Sequence, residues 1–252
     1  MKPTPTILLF LLVACAATPE PPSEANGPYW KVEDPLGKAD TIQPRPGDLE
    51  ALDEAAHLYR VSIQRDGETF AALWKGARTL CRIAQATPSE EVQATTSAEA
   101  LQNCKRAKVL QPRRVEARYF LALAAGLLAE TRSVGGRQLV STIETEATEA
   151  VRLDRTFENA APLLLLGQLY HQAPGFPISV GDTELALENL EEAFEIAPDH
   201  PPNRIALAEV YLDEGRGDDA RKVIETLIAE NPDLPPRWPE RWKTLRARLG
   251  SP

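Results

Sequence analysis

Apolar residues recur three and four positions apart from Asp48 almost to the C-terminus, and prolines, glycines and short polar runs cut that pattern into helix-length pieces. The first piece carries Leu49, Leu52, Ala56, Tyr59 and Ile63 behind an Asp48 N-cap, and Asp66-Gly67 ends it. A second helix, Glu68 to Ala86, shows Phe70, Leu73, Trp74, Ala77, Leu80 and Cys81 on one face. Thr87-Pro88-Ser89-Glu90 reads as a capping box that opens a third helix reaching Leu110. The polar, Thr-rich stretch from Gln93 to Glu99 predicts fraying or a bend within it. Helices four and five are expected over Arg114–Glu130 and Gly136–Leu153, joined at Gly135-Gly136. Helix six spans Glu158–Gln172, a loop runs from Ala173 to Gly181, and Asp182 caps helix seven, which ends before Pro198. Helices eight and nine follow over Asn203–Glu214 and Asp218–Glu230. An amphipathic helix after Pro235-Pro236 places Trp238, Trp242, Leu245 and Leu249 to seal the end of the stack. The pattern contains helices alone, so the fold class is all-α.

The helices repeat. Ala186 and Ala220, Leu190 and Ile224, Ala193 and Leu227, and Pro198 and Pro232 are each 34 residues apart. Leu166-Gly167 with Tyr170 matches Leu207-Ala208 with Tyr211 upstream of these. Further back the step lengthens to 43 residues: Ala107, Ala150 and Ala193, then Ala100, Ile143 and Ala186, then Leu110, Leu153 and Ile196. A helix pair that cannot bury its apolar face alone is stabilised by stacking on copies of itself. The small and large residues of the second copy, Pro198 to Pro232, resemble the tetratricopeptide repeat (TPR) in pattern and length. The resemblance implies an α-solenoid of about four helix pairs, lengthened in its first part and closed by a C-terminal capping helix.

Composition bears on address rather than fold. The chain has 252 residues, 22 prolines and a formal charge of −9, a balance that argues against non-specific nucleic-acid binding. Residues 1–14 read as a signal peptide, with Lys2 before the apolar run Ile7 to Ala14. Leu12-Val13-Ala14-Cys15 resembles the bacterial lipobox, which implies a diacylglycerol on Cys15. Ala16 at the following position implies the outer membrane of a Gram-negative bacterium, facing the periplasm. An ordinary signal peptide cut near Ala17 is the alternative. Residues 15–47 then form a Pro-rich tether, about 30 Å long as a loose coil. Its Tyr29-Trp30 pair either docks on the solenoid's end or stays loose. The solenoid occupies 48–234 and the capping helix 235–252. The membrane is contacted only through the lipid.

Candidate chemistry is sparse. Cys81 and Cys104 lie on successive antiparallel helices, and an oxidising compartment favours a disulfide between them over two buried free thiols. His57, His171 and His200 lack a second ligand at metal spacing, so no metal is expected. The sequence has no nucleophile elbow or phosphate loop, so neither a cofactor nor an enzyme is expected. Asp213, Asp218 and Asp219 lie at a tight turn and lack the alternation of a calcium loop.

In tetratricopeptide proteins the first helix of each pair lines a concave groove. Carried over by register, this puts Tyr119 and Leu123, Leu164, Gln168 and His171, and Ile205 and Glu209 on that surface. It is mixed and poor in charge, unlike the Lys/Arg carboxylate clamp of chaperone-binding relatives. The 173–181 loop is longer than a repeat needs, and its Phe176 either forms a lip over the groove or plugs a gap. Architecture and loop placement also resemble the lipid-anchored T-component of TRAP-type transporters. Two functions follow: a membrane-anchored scaffold for an unidentified protein partner in envelope assembly or transport, or a transporter accessory subunit holding an apolar small ligand in a helical pore.

Overall fold

A computed structural model describes residues 27–131, 136–230, 234 and 236–250. Cys15, the signal peptide, Gly135, Pro232 and Pro235 lie outside the described residues. The chain forms α1 (Pro35–Thr41), α2 (Leu49–Val61), α3 (Phe70–Ala86), α4 (Glu90–Leu110), α5 (Val115–Glu130) and α6 (Gly136–Leu153). It continues through α7 (Phe157–Gln172), α8 (Thr183–Ile196), α9 (Pro201–Asp213), α10 (Gly217–Glu230) and α11 (Trp238–Leu249). Among the described residues no strand is present beyond an isolated bridge between Gly175 and Gly181.

Consecutive helices pack antiparallel as α3 on α4, α5 on α6, α7 on α8 and α9 on α10, and each pair leans on the next. Contacts skip along one wall from α3 to α5, α7, α9 and α11, which makes these the inner layer; α4, α6, α8 and α10 form the outer one. The repeat positions explain the stacking. Ala107, Ala150 and Ala193, Ala100, Ile143 and Ala186, and Leu190 with Ile224 are all buried. Small side chains there let neighbouring helices approach closely, and the larger ones fill the remaining space. Leu110 keeps the register but is half exposed at the end of α4.

One core cluster runs through α2 to α7, and a second joins α7 to α11 with Trp242, Leu245 and Leu249 buried. The capping helix therefore closes the C-terminal end, as its pattern predicts.

Several elements differ from expectation. The N-terminal segment is not all tether: Asp34 caps α1 through Gly37 N–H at 2.8 Å, with Pro35 in its first turn. Pro35 fits because the first-turn N–H has no helical partner to lose. Tyr29, Val32, Leu36 and Ile42 then pack against Ala39, Ala55, Leu58 and Tyr59, so Tyr29 docks on the solenoid, stacked on His57 at 5.6 Å. Arg65 holds this segment by donating to the carbonyls of Trp30, Val32 and Glu33. Ser62–Asp66 adds a π-turn to the end of α2.

The cap of α4 is Ser89, whose hydroxyl accepts from Val92 N–H at 3.3 Å; Thr87 instead accepts from Ser89 N–H. The helix therefore starts two residues later than the capping-box pattern predicts. The expected fraying is absent: α4 runs unbroken from Glu90 to Leu110, with the Thr95 and Thr96 hydroxyls donating to carbonyls one turn back. Cys81 and Cys104 are free thiols, both fully buried. They serve as small core residues between α3 and α5, and burial pushes both thiols well above the usual range.

Candidate functional site

The inner faces of α3, α5 and α7 enclose a groove that the segment before α11 completes. Two adjoining clefts of about 360 and 410 Å³ share Gln85, Leu123, Leu165, Gln168 and Trp238. A third joins them through Arg78, Tyr119 and Glu158, and brings Pro46 and Gly47 opposite Pro236. The loop between α1 and α2 and the segment just before α11 thus border one cavity. A further cleft of about 420 Å³ continues from Arg78 and Arg82 to Lys75, Trp74 and the segment after α1.

The groove residues arise from helical spacing. Trp74, Arg78, Arg82 and Gln85 stand one turn apart on α3, beside the buried stripe of Ala77, Leu80, Cys81 and Ala84. Tyr119 and Leu123 repeat the step on α5, and Ala161, Leu164, Leu165 and Gln168 do so on α7. Tyr119 is buried and packs edge-on against Phe120 and Phe157, and burial raises its phenol well above the usual range.

At the centre stands Glu158, 3.0 Å from Arg78. Desolvation raises its carboxyl above the ordinary value, and the attractions of Arg78 and Arg82 do not cancel that. Its backbone is unusual: Glu158, Asn159 and Ala160 have φ of 45, 62 and 62°, a left-handed turn at the start of α7. L-residues resist this conformation at about 1–2 kcal/mol each. Pro162 lacks the N–H that a regular first turn would return to residue 158, so little helical bonding is lost. Asn203, fully buried on α9, donates from its amide to the carbonyls of Asn159 (3.0 Å) and Ala193 (2.9 Å) and pins the turn. His200 lies in the same cleft, and burial lowers its pKa.

Four of the residues expected in the groove are there: Tyr119, Leu123, Leu164 and Gln168. Ile205 is instead fully buried core of α9. His171 pairs with Asp213 at 2.8 Å across the helix ends. Glu209 is bound to Arg241, a cleft residue, rather than presented itself. Phe176 neither plugs a gap nor lines these clefts; it is 92% exposed and Ile178 63% exposed at the tip of their loop. That loop is closed by Gly181 N–H to Pro174 carbonyl at 2.9 Å and Asp182 N–H to Tyr170 carbonyl at 3.0 Å. Gly181 is required there, since a Cβ would meet Ala173 carbonyl at 2.0 Å.

The residues missed are Arg78, Arg82 and Gln85 of α3, Glu158, and Trp238 with its arginines. The first three were within reach, because α3 stands two helices before α5 and so belongs to the same inner layer. Trp238 and Arg237 reach the groove only through the curl of the whole solenoid; Arg237 meets Glu130, 107 positions away, at 2.6 Å. Among the described residues no group of three or more His, Cys, Asp or Glu could hold a metal ion, and no helix is long and apolar enough to cross a membrane.

Comparison with known proteins agrees with this architecture. Residues 178–249 match the sequence model of the tetratricopeptide repeat. A crystal structure of a thermophilic TPR protein of Thermus thermophilus is similar over 85% of this chain and 97% of its own, with a TM-score of 0.61 and 21% identity. No curated protein matches the chain. The fold is therefore a tetratricopeptide-type α-solenoid, and its matched repeats are those nearest the C-terminus.

Proposed function

We propose that this chain is a membrane-anchored scaffold that holds a segment of a partner protein in its inner groove. The observation that carries this reading is the groove itself. It is continuous from the segment after α1 to Trp238, open to solvent, and walled by apolar and charged side chains together. Solenoids of this fold present such surfaces to protein partners. An apolar ligand in the manner of a TRAP-type accessory subunit would be better served by an enclosed, uncharged pore. Leu123, Leu165 and Trp238 are what favour that second reading. Beneath the groove the core is filled by the buried clusters.

The anchor is a lipid on Cys15 in the outer membrane, with the solenoid in the periplasm. The segment from residue 27 packs against α2 and is held by Arg65, so the part of the chain docked on the solenoid begins well before residue 48.

Two measurements test the proposal. Acyl labelling should be lost in Cys15→Ser. A photo-crosslinking residue at Leu123 or Gln168 should capture a protein partner in cells, whereas one at Glu188, exposed on the outer helix α8, should not. Equal capture from both faces would sink the groove reading. A small apolar mass released from the native protein on unfolding would favour the second reading.

A further inference from the structure

The charges of the groove define what it takes. The protein carries a net charge of −9, yet five cations face the clefts: Lys75, Arg78, Arg82, Arg237 and Arg241. Four of them have carboxylate partners, namely Asp40, Glu158, Glu130 and Glu209. Arg82 differs. It donates to the carbonyl of Pro44 at 3.0 Å, a neutral partner. Burial and the neighbouring Arg78 press its guanidinium toward the uncharged form, and Glu158, already paired with Arg78, offsets this only in part. Arg82 also lies where two of the clefts join, half-buried and accessible from the groove.

From Arg82 the groove turns apolar toward Leu123 on α5 and Leu165 on α7, with Trp238 facing them. At about 9 Å between packed helices, α3 to α7 spans roughly 18 Å, the length of five or six extended residues. Gln168 adds an amide nitrogen on this path that is buried without an acceptor from the fold.

We infer that the groove recognises an extended partner segment in which one acidic side chain, seated on Arg82, lies two to six positions from a large apolar side chain. The inference rests on the scaffold reading and gives the partner's chemistry. The carboxylate gives Arg82 a partner that it need not share with Arg78, the backbone supplies a carbonyl to Gln168, and the apolar residue fills the space between Leu123, Leu165 and Trp238. A free C-terminus is not required, because one side-chain carboxylate pairs with the one of these five cations that has no carboxylate partner of its own.

The test is selection from a random 12-residue peptide library displayed on phage, against full-length protein purified in detergent. Enriched peptides should pair Asp or Glu with Leu, Phe or Trp at that spacing. The best peptide should bind Arg82→Gln and Arg82→Glu at least tenfold more weakly, a loss of about 1.4 kcal/mol or more. Exchanging its acid for Lys should restore binding to Arg82→Glu, a rescue that a misfolded variant cannot give. No enrichment, enrichment without an acid, or binding indifferent to Arg82 overturns the inference. A partner still crosslinked at Leu123 would in that case leave the scaffold reading standing.

Discussion

Glu158 concentrates the opposing forces of the groove. It is carried on a left-handed turn, one third of its side chain is exposed, and it faces Arg78 and Arg82 from α3. Desolvation is the larger influence on its carboxyl, so the folded pKa exceeds that of the unfolded chain. Between the unfolded value near 4.5 and the raised folded one, the folded state binds more protons, and stability falls as pH rises. Glu158→Gln removes that dependence. Its stability relative to wild type should be constant below about pH 4.5 and increase from there toward neutrality. Urea denaturation across this range checks it; a flat difference would mean that the ion pair with Arg78 fully offsets burial. The two thiols give a second expectation at this scale. Cys81 and Cys104 are buried with raised pKa values, so neither should react with a thiol reagent in the native protein, and both should react once it is unfolded. A mass two units below the reduced chain would contradict the free thiols.

At the scale of the element, most helices were legible because period and caps agree. Asp48 and Asp182 accept from Ala51 and Leu185 N–H at 3.1 and 3.0 Å, where polar residues precede apolar runs. What escaped was governed by partners distant in sequence. The helix α1 is too short to show periodicity and exists by packing on Ala55 and Leu58. The left-handed turn of α7 depends on Asn203, which lies 44 residues beyond Asn159. The groove was legible on α5 and α7, and the same two-helix step reaches α3, whose arginines sit among apolar residues and are easily taken for a solvated edge. The repeat signature Leu166-Gly167 proves to be steric. A Cβ on Gly167 would lie 2.4 Å from Leu190 Cγ, 2.8 Å from its Cδ2 and 3.2 Å from Ala186 carbonyl. Gly167→Ala must push α7 from α8 or drive Leu190 out of its rotamer, at a cost of about 1–3 kcal/mol. Thermal denaturation should show a lowered midpoint, while Gly215→Ala, strained by its φ of 72° but with open space around it, probes backbone conformation alone.

Across the whole molecule, each helix pair contacts chiefly its neighbours, so stability is distributed along the stack rather than held in one centre. The two core clusters meet at α7, with Ala161 in the first and Leu164 in the second. The ends need covers of different kinds. The N-terminal segment lies across α2 and is fastened by Arg65, while α11 buries Trp242, Leu245 and Leu249 against α9 and α10. Removing residues 231–252 strips that second cover and exposes the apolar faces of Val210, Tyr211 and Ile224. It also takes away Trp238, Arg237 and Arg241, one whole wall of the groove. In a quasi-one-dimensional fold the damage should fade with distance from the cut. Hydrogen exchange of the truncated chain should show α9 and α10 losing protection by orders of magnitude, α8 less, and α3 to α5 retaining theirs. Uniform loss along the chain would show a single cooperative unit, with Arg237 before α11 and Arg241 on α11 tying Glu130 of α5 to Glu209 of α9. The same truncation should abolish partner capture at Leu123 even though α5 stays folded, because the side of the groove facing Leu123 is formed by the chain's last helix and not by a neighbouring repeat.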